Sequence, residues 1–288
     1  MMSYGRADIP ILASVAGVSE NRKAWLCDVW GVLHDGETVF APAIEACRIF
    51  KRRGGEVILI SNSPRPSEAV LDHLDLLGVP QDCFSALVTS GDVTRALVET
   101  YSGEPVFHLG PERDRCLFDG LDVEFAPAAK AVAIVCTGFF DEEHEVAEDY
   151  DGMLAAFAAR GVPMICANPD LVVERGSKLL PCAGLLAERY AAFGQTAVQA
   201  GKPYSPIYEA ALRKLAKPLP KSEILAIGDG IDTDIKGANG QGIDSIYIAS
   251  RVHLGVAVED GVASGPLFER LFAARAFRPA AAMPHLQW

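Results

Sequence analysis

The sequence predicts an α/β fold: a doubly wound parallel sheet with a second, smaller α/β domain inserted into it. Short apolar runs alternate with helical segments along the chain, which indicates layered strands and helices. In an open parallel sheet, ligands bind outside the carboxyl ends of the strands, and four of the apolar runs end in polar residues. The four stretches are 24–33, 56–63, 196–203 and 224–234.

The domain that receives the insertion is predicted from common start and stop signals of helices. Two glycines end its first helix, prolines 64 and 66 keep the next loop non-helical, and Ser67 is suited to cap the helix that follows. Further on, a serine followed by a proline at 205–206 is a strong helix start. The predicted elements are a helix at 41–53, a strand at 57–60, a helix to about 77, a strand at 86–89, a helix to about 101, a strand at 224–227, a helix at 233–239 and a strand at 245–249.

The segment 104–195 carries strands and helices of its own between the apolar runs at 56–63 and 196–203. It is therefore predicted to be an inserted α/β cap domain, which leaves 1–103 and 196–288 as a discontinuous core. Its predicted strands are 106–109, 131–137 and 163–167, and its predicted helices are 142–160 and 182–193. The Ala/Pro-rich tail beyond about Phe277 gives no clear element.

Composition excludes several classes of partner. The chain has 288 residues, a net charge of −12 and no basic cluster, which argues against binding to nucleic acid or to an anionic membrane surface. Its seven cysteines are odd in number and form no CxxC pair, so neither a disulfide framework nor a zinc site is indicated. No secretory signal is expected in residues 1–11, and no run has membrane-spanning length, so a cytoplasmic protein is expected.

The chemistry-bearing residues stand where the apolar runs end. Asp28 follows the first run, Ser61 and Asn62 end the second, Lys202 lies near the end of the third, at 196–203, and Asp229 follows the run at 224–228. A carboxylate at the tip of a hydrophobic strand costs solvation free energy unless a cation or hydrogen-bond donors stabilise it. Asp28 is therefore a candidate nucleophile or metal ligand.

Taken in order, these motifs resemble the haloacid dehalogenase-like superfamily of aspartate-nucleophile phosphatases. The order is Asp-x-x-Gly-Val at 28–32, Ser-Asn at 61–62, Gly-Lys-Pro at 201–203 and Gly-Asp-x-x-x-Thr-Asp at 228–234. The insertion between the second and third motifs, with Asn-Pro-Asp at 168–170 inside it, is similar to that of the class IIA subgroup with a large α/β cap. This subgroup includes nucleotide- and sugar-phosphatase-like proteins, p-nitrophenyl phosphatases and pyridoxal-phosphate phosphatases.

The resemblance implies a Rossmann-like core and a role for each matching residue. Asp28 would attack phosphorus and form an aspartyl-phosphate, and Mg²⁺ would be held by Asp28, Asp229 and the backbone carbonyl of Trp30. Lys202, together with Ser61 and its neighbouring amides, would bind the phosphoryl oxygens. The implied supporting residues are Asn62 and Asn168 at the phosphate or substrate and Asp234 beside Lys202 or the metal. A homodimer is expected from the resemblance alone.

Trp30 departs from the family pattern. Most phosphatases of this type carry a second aspartate there, which protonates the leaving oxygen and later activates water, and an indole does neither. General acid–base catalysis contributes about 10²–10⁴-fold, so slow hydrolysis is expected. His34 and Asp35 are alternative acids, although a solvated turn is the simpler interpretation of both.

Several of these residues also have structural interpretations. Ser61 is equally compatible with a cap and with a phosphate contact. Lys202 has the alternative interpretation of an exposed loop lysine. Asn168 and Asp170 are interpreted chiefly as a turn, and Arg175 and Lys178 as solvated charges.

Two functional hypotheses follow. The first is a Mg²⁺-dependent phosphomonoester hydrolase acting on a small phosphorylated metabolite; the second is a catalytically weak or inactive phospho-ligand-binding protein that keeps the metal site. Halide-removing relatives do not need the metal, so the presence of Asp229 and Asp234 argues against halide removal. Phosphonate-cleaving relatives carry a small residue where this chain has Trp30.

Overall fold

The computed structural model of the protein describes residues 8–175, 178–249, 258–259, 262–263 and 265–288. Contacts within the chain divide it into two units. The first unit consists of Met1–Leu59, Val79–Ala86 and Leu215–Trp288, and the second of Ile60–Gly78 and Leu87–Lys214. The cap boundaries expected from the sequence, 104–195, stay a prediction, and the expected absence of a signal at 1–11 falls mostly on residues outside the described ones.

The described strands are short, and most are buried. They are β1 (Ala24–Cys27), β2 (Glu56–Ser61), β3 (Ala86–Thr89), β4 (Pro105–Leu109), β5 (Glu124–Phe125), β6 (Ala133–Cys136), β7 (Met164–Cys166), β8 (Val172–Arg175), β9 (Lys178–Pro181), β10 (Val198–Gln199), β11 (Ile224–Gly228), β12 (Asp244–Ile248), β13 (Val258–Glu259), β14 (Val262–Ala263) and β15 (Ala281–Met283).

Helices lie between most of these strands. The described α-helices are α1 (Ala16–Ser19), α2 (Ala41–Arg52), α3 (Ser67–Leu77), α4 (Ser90–Val98), α5 (Asp151–Ala159), α6 (Ala183–Ala192), α7 (Ser205–Leu212), α8 (Lys236–Gly240) and α9 (Gly265–Phe272). No helix among the described residues is long and apolar enough to cross a membrane.

A six-stranded sheet has the order β15-β12-β11-β1-β2-β3. Strand β1 pairs in parallel with β2 on one side and with β11 on the other. Later strands extend the sheet away from this pair in both directions, so the strand order reverses between β1 and β11. This is the topological switch point of a doubly wound sheet, where ligands bind at the carboxyl ends of the strands. The predicted fold class is confirmed.

A five-stranded parallel sheet has the order β10-β7-β6-β4-β5. Its strands contribute to an apolar core shared with α5 and α6, which includes Phe157, Leu186 and Tyr190. The structure corrects one strand assignment here. The run at 196–203 is expected from the sequence to join the sheet that carries Asp28, but only Val198–Gln199 is extended, and it pairs with β7.

Another correction concerns the helix predicted from Glu142. The α-helix begins only at Asp151, after a 3₁₀ turn at Ala147–Tyr150. Acidic side chains of this segment accept hydrogen bonds from backbone amides: Glu145 from Asp141 N at 2.7 Å and Asp149 from Val146 N at 2.9 Å. Such local bonds compete with the helical ladder.

Smaller differences occur elsewhere in the chain. Helix α3 begins at Ser67, whose side chain is not its cap. Residues 231–235 form a π-helical turn before α8. The tail that gave no clear element supplies β15, which pairs with β12 in the six-stranded sheet.

Candidate active site

The first unit places carboxylates at the switch point through strand register. Cys27 of β1 stands opposite Ile227 of β11, and the backbone N–H of Asp28 donates to the Ile227 carbonyl at 2.8 Å. Both strands are buried along their whole length, as is usual for central strands of a sheet covered on both faces. The residues that follow the two strands therefore emerge side by side.

Asp28, Asp229 and Asp234 form one cluster. Each offers a carboxylate oxygen, and the three oxygens lie within 4.8 Å of one another. Asp28 and Asp234 are buried, and Asp229 is half-buried. Three like charges this close repel each other in a poorly solvated place, and a hard divalent cation with oxygen ligands would offset that repulsion.

Backbone hydrogen bonds orient two of these carboxylates. Asp28 Oδ1 accepts from the N–H of Val29 at 2.8 Å, and Asp234 Oδ2 accepts from the N–H of Gly230 at 3.1 Å. The loops therefore hold these groups as acceptors.

Glycines make room for the same carboxylates. Gly31 has φ +80°, and a Cβ placed on it would lie 2.1 Å from Asp229 Oδ2. A Cβ on Gly228 would lie 2.2 Å from Asp234 Cγ. In the sequence, Gly31 stands out only as a member of the Asp-x-x-Gly-Val motif. The structure shows that it and Gly228 leave the space in which two of the three carboxylates sit.

The loop after β1 is more buried than a solvated turn. His34 is 1% exposed and Asp35 is 8% exposed, which corrects the simpler interpretation of both. His34 Nδ1 accepts from the N–H of Gly36 at 2.9 Å, and its ring meets the half-buried ring of Trp30 edge-on at 5.0 Å. Trp30 thus packs on the loop's own histidine.

Asp35 is bound to the backbone of the same loop. Its Oδ1 accepts from the N–H groups of Glu37 at 3.1 Å and Thr38 at 2.8 Å.

In strand β1, a hydrogen bond with Cys47 and then burial raise the pKa of the Cys27 thiol well above its ordinary value. Cys27 is therefore a neutral core residue, although it directly precedes Asp28.

The second unit brings Asn62 and Lys202 together. Asn62 Oδ1 accepts from the backbone N–H of Lys202 at 2.7 Å, and Asn62 Nδ2 donates to the Lys202 carbonyl at 3.2 Å. Lys202 is 2% exposed, and its Nζ donates to the Ile60 carbonyl at 3.2 Å. Lys202 is thus a buried residue and not an exposed loop lysine.

Ser61 is buried at the end of β2. Its Oγ accepts a hydrogen bond from the N–H of Ser63 at 3.2 Å. This bond holds the turn and leaves the hydroxyl proton able to donate to another acceptor. Both interpretations of Ser61, as a local cap and as a phosphate contact, therefore agree with the geometry.

The Asn-Pro-Asp segment has one contact that sequence reasoning missed. Asp170 Oδ1 accepts from Asn62 Nδ2 at 2.9 Å, whereas Asn168 Oδ1 accepts from the N–H of Asp170 at 3.0 Å. Asn168 thus supports the turn that carries Asp170. The motif itself was the available signal, but nothing in the sequence pairs it with a residue 108 positions earlier.

Arg175 and Lys178 are held by acidic partners. Arg175 lies 3.3 Å from Glu142, and Lys178 lies 3.0 Å from Glu143. Both partners belong to the acidic segment that delays the start of α5. The two cations fit their interpretation as paired surface charges.

Comparisons with known proteins agree with the motifs. A family model of haloacid dehalogenase-like hydrolases matches residues 25–124, and a second, HAD-hydrolase-like model matches residues 199–270. A solved hydrolase of the haloacid dehalogenase-like family from Brucella suis 1330 is 42% identical, with a TM-score of 0.85 over 96% of this chain and 100% of that chain. The chain belongs to the haloacid dehalogenase-like hydrolases.

More distant relatives of this haloacid dehalogenase-like hydrolase carry phosphatase names. The 5'-nucleotidase YutF of Bacillus subtilis (strain 168) is 28% identical over 236 residues, which is 81% of this chain and 88% of that protein. A solved 4-nitrophenylphosphatase from Thermotoga maritima shares 20% identity and a TM-score of 0.69, over 93% of this chain and 96% of that chain, and therefore shows a common fold. The resemblance drawn from the motifs is confirmed.

Proposed function

We propose that the protein is a Mg²⁺-dependent phosphomonoester hydrolase that acts on a small phosphorylated metabolite through an aspartyl-phosphate. The observation that carries the proposal is the cluster of Asp28, Asp229 and Asp234 at the switch point of the six-stranded sheet. Phosphatase names among the relatives support the same chemistry. Partner, cofactor and residue roles below are parts of this proposal.

The donor set fits a hard cation. Asp28, Asp229 and the backbone carbonyl of Trp30 would hold Mg²⁺, with Asp234 as the supporting carboxylate. All of these donors are oxygens, which Mg²⁺ prefers, and the missing side chain at Gly31 leaves the Asp229 carboxylate in place. When bound, the cation supplies charge neutralisation for the carboxylates and for the phosphoryl oxygens.

The chain's own residues would carry the bond changes. An Asp28 oxygen attacks phosphorus in line as the bond from phosphorus to the substrate oxygen breaks. Water then attacks the aspartyl-phosphate, which releases inorganic phosphate and restores the Asp28 carboxylate. Lys202 and the hydroxyl of Ser61 would bind phosphoryl oxygens, Asn62 would hold the Lys202 backbone, and Asn168 would support the substrate side through its turn.

Trp30 favours a second candidate function. With no carboxylate at this position, the leaving oxygen lacks its usual proton donor. A weakly active or inactive phospho-ligand-binding protein would use the same metal-binding and phosphate-binding residues as the hydrolase. The two candidates differ in turnover and not in binding. A homodimer and a cytoplasmic location remain expectations from the resemblance and the composition.

A screen of phosphorylated metabolites with and without Mg²⁺ tests both candidates. Release of inorganic phosphate would be measured across sugar phosphates, nucleotides and 4-nitrophenyl phosphate, with EDTA-treated protein as control. Release from at least one metabolite that requires Mg²⁺ supports the hydrolase. Calorimetric binding of inorganic phosphate without any release would support the binding protein, and absence of both would contradict the proposal.

A further inference from the structure

The geometry points to Asp170 as a positioning residue that holds the Asn62 side chain in place and, through it, the backbone of Lys202. The inference rests on the proposed function, in which Lys202 binds the phosphoryl group. It adds a residue from outside the four motifs to the machinery of the site, and all the contacts that carry it lie within the second unit.

Three separate loops meet at the Asn62 side chain. Asn62 follows β2, Asp170 follows β7 and Lys202 follows β10. Asn62 is 3% exposed and makes three hydrogen bonds: one accepted from the Lys202 N–H, one donated to the Lys202 carbonyl and one donated to Asp170. Asn62 therefore hydrogen-bonds both the N–H and the carbonyl of Lys202, and Asp170 is its third hydrogen-bond partner.

The Lys202 N–H and carbonyl already require the amide to face this way, and the contact with Asp170 reinforces that orientation. An ionised carboxylate only accepts hydrogen bonds, whereas an asparagine side chain has one accepting and one donating end. With Asp170 at 2.9 Å, the donating end must face the carboxylate. The reversed amide would place its oxygen against that carboxylate and the Lys202 carbonyl, and its NH₂ against the Lys202 N–H, so three favourable contacts would become repulsive.

Close packing keeps both partners of Asn62 from moving away. A Cβ on Gly201 would lie 2.4 Å from Asn62 Oδ1 and 2.7 Å from Pro169 Cδ. A Cβ on Gly184 would lie 2.5 Å from the Asp170 carbonyl, and the Gly184 N–H donates to that same carbonyl at 3.1 Å. The Asp170 backbone is thus fixed by α6, and the residue before Lys202 packs directly on the amide.

The first experiment compares Asp170→Ala with Asp170→Asn. Asp170→Ala should lower kcat/KM roughly 10-fold and raise the inhibition constant of inorganic phosphate by a similar factor, as for the loss of one hydrogen bond to a charged group. Asp170→Asn keeps an accepting oxygen and should stay within about 3-fold of the wild type. The affinity for Mg²⁺, measured by calorimetry, should not change in either variant, because Asp170 is not among the proposed metal ligands.

Asp151→Ala is the matched control. Asp151 is in the same unit and makes a two-point ion pair with Arg189, at 2.6 and 2.5 Å. Its loss removes an acidic side chain and its hydrogen bonds without touching Asn62. This control should show wild-type kinetics and phosphate inhibition, so a general effect of losing an aspartate in this unit would be visible.

A double-mutant cycle with Asn62→Ala then separates positioning from other roles. If Asp170 acts through Asn62, Asp170→Ala should have no further effect on kcat/KM or on phosphate inhibition in the Asn62→Ala background. Additive losses would overturn the inference. So would wild-type phosphate inhibition in Asp170→Ala, or a loss that comes with a lower melting temperature and weaker Mg²⁺ binding, since that pattern indicates a folding role.

Failure of the proposed function gives a different result. If the wild type neither hydrolyses phosphate esters nor binds inorganic phosphate, the function is wrong, whatever Asp170 does. If the wild type binds phosphate without turnover, the cycle is carried out on the phosphate dissociation constant, and the same pattern of roughly 10-fold, 3-fold and non-additive effects is expected.

Discussion

The two units hold their candidate functional groups by different means. In the first unit, Asp28 and Asp229 come directly after paired strands, and glycines at 31 and 228 leave room for carboxylates. In the second unit, Lys202 follows a strand of only two residues, and the side chain of Asn62 holds its backbone. Strand pairing and backbone conformation place the carboxylates of the first unit, whereas side-chain hydrogen bonds place Lys202 in the second.

This difference determines which substitutions matter in each unit. A backbone-placed cluster tolerates changes around it but not an added Cβ in its space. A side-chain-placed lysine depends on a few polar partners whose replacement costs one hydrogen bond each. Substitutions in each unit can therefore test this contrast.

Asp28→Asn should have the largest effect. It removes the attacking carboxylate, and the amide that replaces it is a poor nucleophile, so kcat should fall by at least about 10³-fold on every ester. Steady-state kinetics with 4-nitrophenyl phosphate and with an alkyl phosphate would measure this. If the substituted protein keeps its melting temperature and more than about a tenth of the activity, Asp28 is not the nucleophile.

Gly31→Ala should be next. The new Cβ would force the Asp229 carboxylate to move, and residues other than glycine are strained at φ +80°. We expect roughly 100-fold weaker Mg²⁺ binding, which corresponds to losing one well-placed carboxylate ligand. Isothermal calorimetry would measure it, together with a thermal melt.

Gly54→Ala is the control for backbone strain. Gly54 has φ +89°, but a Cβ added there would have no neighbouring atom within 4 Å. The substitution should cost about 1–2 kcal/mol of stability and leave Mg²⁺ affinity unchanged. Equal losses of Mg²⁺ affinity in the two variants would show that strain alone, and not the displaced carboxylate, explains Gly31→Ala.

The contrast between the units also explains what the sequence could predict. Asp28 and Asp229 could be placed together because each follows an apolar run, and the carboxyl ends of parallel strands lie at one edge of a sheet. The contact of Asp170 with Asn62 could not, because it depends on loop conformations and a long-range side-chain bond. The helix start at Asp151 was missed for a similar reason, since acidic side chains at 145 and 149 bond to the backbone.

A buried polar chain in the second unit should give an effect that depends on pH. His108 Nε2 lies 2.8 Å from Thr137 Oγ1, and Thr137 is also a neighbour of the buried carboxyl of Asp114. Burial lowers the pKa of His108 to about 4, and burial raises the pKa of Asp114 to about 6. Nearby charges are those of Arg115 at His108, and of Arg113, Arg65 and Glu142 at Asp114.

The two shifts have opposite signs in stability. His108 has a lowered folded pKa, so its contribution is present above pH 6.5 and is lost as the pH falls toward 4. Asp114 has a raised folded pKa, so its contribution is present below pH 3.8 and is lost as the pH rises through 6. Between pH 4 and 6 the two slopes oppose each other.

Removing one of the two groups should therefore leave the pH dependence of the other unopposed. Relative to the wild type, Asp114→Asn should lose about 2–3 kcal/mol as the pH falls from about 6 to about 4, and His108→Gln should gain a similar amount over the same range. Urea denaturation at several pH values gives these differences, in which background titrations cancel. Difference curves of the same sign for both variants would refute the opposed titration.

Trp30→Asp should have the smallest effect, and it tests what the first unit lacks. If the missing acid limits turnover, the new carboxyl should raise kcat on an alkyl phosphate roughly 10-fold, because an alkoxide leaves poorly without a proton. The gain on 4-nitrophenyl phosphate should be smaller, since that leaving group needs little protonation. Both rates would be measured with saturating Mg²⁺.

Trp30→Asn separates the acid from the lost indole. It removes the same edge-on contact with the His34 ring and has nearly the size of aspartate, but it carries no ionisable proton, so neither ester should be hydrolysed faster. Both variants must keep a cooperative thermal melt, because losing the half-buried ring can leave a cavity. A folded Trp30→Asp protein with equal or lower activity on both esters would defeat the missing-acid argument. His34 and Asp35 would then be the first residues to replace, since both are buried in the loop that begins at Trp30.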